Sequence, residues 1–337
     1  MTTRTDAPRS TTPKAPRARG RIREAPEFTS GADAHRSTAP QAPRARGRIL
    51  LNDHLLPAVR ATIPAIDRGF LYGDGLFETV RAYRGRPFAF DRHLRRLARS
   101  ARVFRIPFNR RPAYWEPRVR RVLRANQLFD RDAAVRLTIS RGAGPIGLLP
   151  PAGLRPTTVL LATPIDPRLA AAQARGVAVC FFPFRHVGAA LPSHKTLHYL
   201  PAVLGKIIAE RKRAWEAVYL ASDDTVLEGT TTNVFVVRDG TLVTPPLHGI
   251  LPGVTRTVLA TIARRARLPL SERPITRAEL LAADEVFLTA STIEILPVVR
   301  VERTRIGDGT PGPVTRVLQV RYRRHVAATL ERGEPLP

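Results

Sequence analysis

The run "LFETVRAYRGRPFAFDRHLRRLARSARVF", residues 76 to 104, limits the possible folds more than any other stretch. "LFETVRAY" and "PFAF" at 76–83 and 87–90 flank "RGR", a short loop carrying Gly85, and read as a hairpin. Asp91 then stands as an N-cap before a helix whose Leu94, Leu97, Ala98 and Ala101 share one face. A second helix is expected from Tyr114 to Asn126, and "AVRLTIS" at 134–140 returns to strand. Hairpin, helices and strand follow one another without a regular βαβ repeat, so the first part of the chain is α+β in class.

The Gly- and Pro-rich stretch "GAGPIGLLPPAGLRP" at 142–156 reads as a connection between domains, which sets a boundary at 150. Beyond it come strands at 157–163 and 176–182, then a helix from about Tyr199 to Arg213. The further strand-like runs are "AVYL", "NVFVV", "TLVT", "EVFLTA" and "PVVRV". "DG" at 239–240 makes a hairpin of "NVFVV" and "TLVT". Helices are expected at 253–267 and 313–332, and the second part, 151–330, is mixed and strand-rich.

Ahead of both lies a different kind of sequence. "DAPRSTTPKAPRARGRI" at 6–22 returns as "DAHRSTAPQAPRARGRI" at 33–49, changed only at His35, Ala39 and Gln41. Residues 1–47 are rich in Pro, Arg, Ser and Thr and lack apolar periodicity, so they are expected to be disordered. Ten basic residues face four acidic ones there, which fits an electrostatic arm, a transit-type peptide, a tandem duplication or a wrongly called start.

A formal charge of +27 raises the idea of a nucleic-acid partner. The arginines are spread along the whole chain, no nucleic-acid module is recognisable and aromatics amount to 6 %, so nucleic-acid binding ranks far below catalysis. The longest apolar runs, such as "GVAVCFF" at 176–182, fall well short of the roughly 20 residues that span a bilayer, so no membrane partner is expected. Cys180 is the sole cysteine, and it sits in an apolar strand-like run. An inert thiol and a cytoplasmic location are expected, and no metal site is foreseen.

Lysine is scarce: it occurs only at 14, 195, 206 and 212, against a Lys+Arg total of 55. Arginine is fixed in charge and cannot serve as an amine nucleophile, so each surviving lysine asks for a chemical reason. Lys195, in "SHKTLHYL", follows the irregular "FRHVGAALPSH" and precedes a helix, a place where loops carry function. Lys206 and Lys212 sit within that helix among charged neighbours and read as solvated. A lysine used covalently forms a Schiff base, most often with pyridoxal phosphate, whose ring nitrogen needs an acid and whose phosphate needs backbone amides. Glu228, in the turn "LEGTTTNVF", and Gly253, Val254 and Thr255 at a helix start in "LPGVTRTVLA" meet those needs. "TASTIE" at 289–294 adds hydroxyls.

Taken in order, "DRGFLYGDGLFETVRAYRGRPFAFDRHLRRL", "HKTLHYL", "LEGTTTNVF", "ILPGVTR" and "DEVFLTASTIEILPV" resemble the class IV aminotransferases of pyridoxal-phosphate fold type IV. That family includes branched-chain and D-amino acid aminotransferases and aminodeoxychorismate lyases. The resemblance covers residues 48 to 325. It implies an α+β, two-domain, D-amino acid aminotransferase-like fold: a small N-terminal α/β domain (48–150), a larger C-terminal pseudobarrel domain (151–330), and pyridoxal 5′-phosphate between them.

The resemblance also implies roles. Lys195 would form the Schiff base and shuttle a proton, and Glu228 would keep the ring nitrogen protonated. Arg96 would clamp the phosphate with Val254, Thr255 and Ser291, and Leu251 would pack on the ring. Tyr72 and Tyr199 are candidates to line the site. A homodimer acting on amino acid and 2-oxo acid substrates is implied, with amino transfer as the reaction and 4-amino-4-deoxychorismate lyase as the alternative. The segment "GAGPIGLLPP" lacks the Arg-x-His pair of D-amino acid enzymes, "KTLHY" has a shorter lysine-to-tyrosine spacing than branched-chain enzymes, and His198 stands where the family often has Asn.

Overall fold

A computed structural model describes residues 47–184 and 193–332. The expectations for the basic tail and for most of the segment ahead of Lys195 fall outside these residues. Two sheets organise the described chain. The first contains β1 (Arg48–Leu51), β2 (His54–Pro57), β3 (Gly75–Tyr83), β4 (Arg86–Pro87), β5 (Ala133–Ser140) and β6 (Thr157–Pro164), in the order β2-β1-β6-β5-β3-β4. A short helix, α1 (Arg68–Tyr72), precedes β3, and α2 (Phe90–Val103) and α3 (Pro112–Ala125) cover one face. Leu94, Leu97 and Ala101 of α2 meet Trp115, Val119, Val122 and Leu123 of α3 over Val80, Val135, Leu137 and Ile139, a core built by alternation in the strands and helical spacing in the helices.

Two expectations change here. Strand pairing after "RGR" stops at Pro87, because Phe88 and Ala89 already turn into α2; Ala89 takes φ 52° and the N-cap position, and Asp91 lies in the first turn, bound to Arg95. The boundary at 150 also cuts through the sheet. β6 lies antiparallel to β5 over eight residue pairs, from Ala133↔Pro164 to Ser140↔Thr157, so the 142–156 stretch connects two strands of one sheet. The buried Arg68 guanidinium fastens that connection by donating to the carbonyls of Gly147 (2.6 Å) and Leu148 (2.8 Å) while pairing with Asp74 (2.9 Å). Chain proximity in a hairpin outweighs the Gly/Pro signal, which marks any turn equally well.

The second sheet is built after Pro164. It uses β7 (Val177–Phe181), β8 (Glu216–Leu220), β9 (Val226–Gly229), β10 (Asn233–Arg238), β11 (Thr241–Thr244), β12 (Leu270–Glu272), β13 (Glu285–Ala290), β14 (Glu294–Val301) and β15 (Thr304–Arg305). Pairing runs β10-β13-β14-β7-β8-β9 and returns from β9 to β10, which closes a six-stranded barrel. Strand alternation then fills two cores. Val234 and Val236 point to the inner one with Val179, Val218, Val226, Leu288, Leu296 and Val298. Phe235 and Val237 point outward, under α6 (Val254–Arg265) and α8 (Pro313–Arg332), where Phe235 stacks on Phe287 at 5.1 Å.

The remaining helices are α4 (Leu169–Arg175), α5 (Leu200–Arg211) and α7 (Arg277–Leu281). Among the described residues, no helix is long and apolar enough to cross a membrane. Cys180 is buried and its thiol is pushed up to about 11 by desolvation.

Candidate active site

A cavity of about 1120 Å³ opens between the two sheets. Lys195, Arg96, Glu228, Leu251, Val254, Thr255 and Ser291 all line it, although they come from separate stretches of the chain. Tyr199 lines it as well, whereas Tyr72 does not; its hydroxyl instead accepts from the Gly147 N–H at 2.9 Å.

Lys195 is held by its backbone. The Phe77 N–H donates to its carbonyl at 2.9 Å, and the Leu197 N–H donates to Gly75 at 3.0 Å, so this segment runs as an extra short strand beside β3. Its ammonium lies 4.4 Å from the Phe77 ring centre and 5.7 Å from that of Tyr199. Burial, aided by the Arg96 charge, pulls the amine down to about 8. His194, one residue earlier, shares a 2.9 Å hydrogen bond with Ser100 of α2 and packs edge-on against Phe104.

One end of the cavity is cationic. Of the two adjacent arginines, Arg95 faces solvent and binds Asp91, while Arg96 turns inward. Arg96 Nε and Nη2 donate to the two oxygens of Glu78 at 2.8 and 2.7 Å, and Nη1 donates to the Pro252 carbonyl at 2.7 Å. Glu78 also meets His93 Nδ1 at 2.7 Å, and the Arg96 charge holds its carboxyl down at about 2 despite full burial. Opposite stands the start of α6, where the first-turn amides have no intrahelical acceptor. Its N-cap is Gly253, where a Cβ would collide with Asn233 Oδ1.

The other end is acidic. Asn233 lies in register with Glu228 on one side and Thr289 on the other, so barrel pairing sets three polar side chains abreast. Glu228 accepts from the Leu251 N–H at 3.1 Å and from Asn233 Nδ2 at 3.3 Å, and Asn233 Nδ2 also donates to the Leu251 carbonyl at 2.9 Å. Desolvation raises the Glu228 carboxyl to about 8. Behind it, Glu216 is fully buried and accepts from Thr230 and Thr231 hydroxyls.

Lys206 reaches Glu216 at 3.0 Å, so this lysine is the partner of a buried acid, contrary to the solvated reading. Lys212 also carries an ion pair, 2.9 Å from Glu302. Position on a helix says little about reach: a flexible four-carbon stem beside Gly205, where a Cβ would strike Thr230, can enter a gap between helix and sheet.

The chain matches the family model described as amino-transferase class IV over residues 75–301. It is 36 % identical to a putative branched-chain-amino-acid aminotransferase of Methanocaldococcus jannaschii, covering 82 % of this chain and 95 % of that protein. It is 33 % identical to a D-alanine aminotransferase of Bacillus licheniformis, covering 80 % and 94 %. Among solved structures, 4-amino-4-deoxychorismate lyase from Pseudomonas aeruginosa superposes with a TM-score of 0.72 at 31 % identity, covering 82 % and 98 %.

The chain belongs to the class IV aminotransferase family. It is a pyridoxal-phosphate-dependent enzyme of fold type IV, with the closed barrel that this fold requires.

The class IV site fits its cofactor. Two buried hydroxyls that line the cavity, Thr232 Oγ1 and Thr289 Oγ1, have no hydrogen-bond partner among the described residues, as expected where a polar group is to bind. The cationic end, with the start of α6, would hold the phosphate. Glu228 would meet the ring nitrogen, and Lys195 stands between the two ends.

Sequence reasoning missed Glu78, His93 and Arg136. The signal for His93 was present: His93, Arg96 and Ser100 recur at helical spacing on the buried side of α2, beside its leucines. Arg136 sits on β5, where alternation marks it only as opposite in facing to Val135 and Leu137. Its guanidinium lies 3.6 Å from the Phe77 ring centre and donates to Thr138 Oγ1 at 3.2 Å. No carboxylate partners it among the described residues, and burial lowers its pKa.

Proposed function

We propose that the enzyme transfers the amino group of an α-amino acid to a 2-oxo acid. The observation that carries this reading is Arg136: a half-buried cation on the cavity wall, without an acid of its own, offers itself to a carboxylate. Amino donor and 2-oxo acceptor each bring an α-carboxylate to the same place in alternate halves of the reaction.

Bound pyridoxal phosphate supplies an electron sink that acidifies the α-carbon of an attached amino acid. The chain's own residues do the rest. The Lys195 amine, brought down to about 8, is neutral in a useful fraction near neutral pH and carries a proton between the α-carbon of the substrate and its acceptor atom. Glu228, fixed by Leu251 and Asn233, holds a proton at the pyridine nitrogen. Arg96, Val254, Thr255 and Ser291 would hold the phosphate, Leu251 would pack on the ring, and Phe77 and Tyr199 shield the amine from water.

Exposed apolar residues support a homodimer. Phe70, Ile146, Leu148, Leu149 and Leu200 are large apolar residues more than 70 % exposed, and Arg68 holds the segment that carries Leu148 in place. A second copy of the chain would cover such a face. The free, buried Cys180 supports a cytoplasmic location.

The test is a pair of assays on the purified protein. Formation of a new amino acid from 2-oxoglutarate and an α-amino acid donor supports amino transfer. Release of 4-aminobenzoate from aminodeoxychorismate, with no amino transfer, would replace this reading by the lyase, the enzyme that one of the similar structures represents.

A further inference from the structure

The phosphate end of the cavity has a charge problem. Arg96 is the cation there, yet Nε and Nη2 are both committed to Glu78, so the ion pair is neutral as a unit. A phosphate monoester carries nearly two negative charges at neutral pH. The start of α6 offers roughly half a positive charge. Among the described residues, this end therefore has no uncompensated guanidinium for the anion it takes.

Behind Ser291 stands a group that can supply one. Ser291 Oγ lies 3.3 Å from Nε2 of His93, and the opposite ring nitrogen, Nδ1, is 2.7 Å from Glu78. A carboxylate on Nδ1 fixes that nitrogen as the donor, so in the neutral ring Nε2 is an acceptor and receives a hydrogen bond from the serine hydroxyl. In that state Ser291 turns only lone pairs toward an incoming phosphate.

We propose that the phosphate dianion binds together with a proton, which settles on Nε2 of His93. The proton comes from solvent. Nε2–H then donates to Ser291 Oγ, the serine hydroxyl swings to donate to a phosphate oxygen, and the Glu78, Arg96 and His93 cluster gains the net positive charge that the phosphate meets. His93 is a positioning residue that reaches the phosphate through Ser291.

The groups that face it are Glu78 from β3, Arg96 from its own helix, Lys195 from the segment before α5 and Ser291 from the turn between β13 and β14. Burial lowers the His93 pKa before binding, which keeps the ring neutral until the anion arrives. The inference needs only membership of a phosphate-cofactor family, so it stands whether the reaction is amino transfer or lyase cleavage.

The experiment is calorimetric titration of the cofactor-free full chain with pyridoxamine 5′-phosphate, which cannot form an imine with Lys195. It is run near neutral pH in two buffers of different ionisation enthalpy. Wild type takes up about one proton more per site than His93→Gln. Proton exchange at the ring nitrogen is common to both proteins and cancels. Equal uptake in the two proteins overturns the proposal.

Should His93→Gln not fold, nitrogen-15 spectra of histidine in wild type give the same answer. One solvent-shielded imidazole gains a second proton on ligand addition. If every buried imidazole keeps its protonation state, the proposal fails.

Discussion

Glu78 is buried behind the cationic end of the cavity, Glu228 lines the acidic end, and the two titrate in opposite directions. Glu78, gripped by Arg96 and His93, is held at about 2; Glu228, with an amide N–H and Asn233 as its hydrogen-bond partners, is raised to about 8. Desolvation pushes both carboxyls up, so the partners decide. A carboxylate with its own guanidinium is a fixed structural charge, while one left with neutral donors is ready to share a proton with a ligand. The difference separates the end that grips from the end that tunes chemistry.

Lys195, between the two ends, has the largest expected effect. Lys195→Ala should lower turnover by on the order of 1000-fold or more, about 4 kcal/mol of barrier. Borohydride reduction of the cofactor-loaded protein should then leave no label at this position. Retained turnover or retained label would show that the two ends serve something other than an amine between them.

Glu78→Gln tests the gripping end. It leaves Arg96 buried without its counter-charge and should cost about 3–5 kcal/mol of stability by denaturant unfolding. The pH sign follows from a depressed acid. Its contribution is complete above the ordinary 4.5 and is lost as pH falls toward about 2, so the variant should lack that acid limb. An unchanged acid limb would remove the distinction between the two glutamates.

Glu228→Gln should behave differently. In the cofactor-free protein the carboxyl is largely protonated below about 8, so glutamine is close to isosteric and stability near pH 6 should change by less than about 1 kcal/mol. A raised acid binds more protons folded than unfolded between 4.5 and about 8. Wild type should therefore lose stability with rising pH across that window, and the variant should not. Turnover should fall by about 100-fold, because a neutral amide cannot hold the ring proton. A stability loss as large as that of Glu78→Gln would break the comparison.

Arg136→Gln carries the smallest effect. KM for amino and 2-oxo acids should rise by about 10–100-fold, with cofactor affinity unchanged, as expected for a charge-assisted contact to substrate alone. Weakened cofactor binding instead would move Arg136 to the gripping end.

Much of this arrangement is visible in the chain. The helix at 313–332 coincides with its expected bounds, and the hairpin of β10 and β11 turns at Asp239 and Gly240, because period and turn chemistry are local properties. Lys195 stood out through lysine scarcity and Glu228 through the polar run that follows it, although Glu228 itself lies on β9. Ser291 was visible only as one of several hydroxyls, and its partner His93 was passed over among helix residues.

The sequence by itself determined which elements form and which amine is chemically special, since both depend on neighbours along the chain. Tertiary structure alone decided that β6 joins the first sheet and that Lys206 meets Glu216. It also decided which of Glu78 and Glu228 holds its charge. A pKa depends on the groups within a few ångströms, and Glu78 acquires Arg96 only when a strand and a helix 18 residues apart are packed face to face.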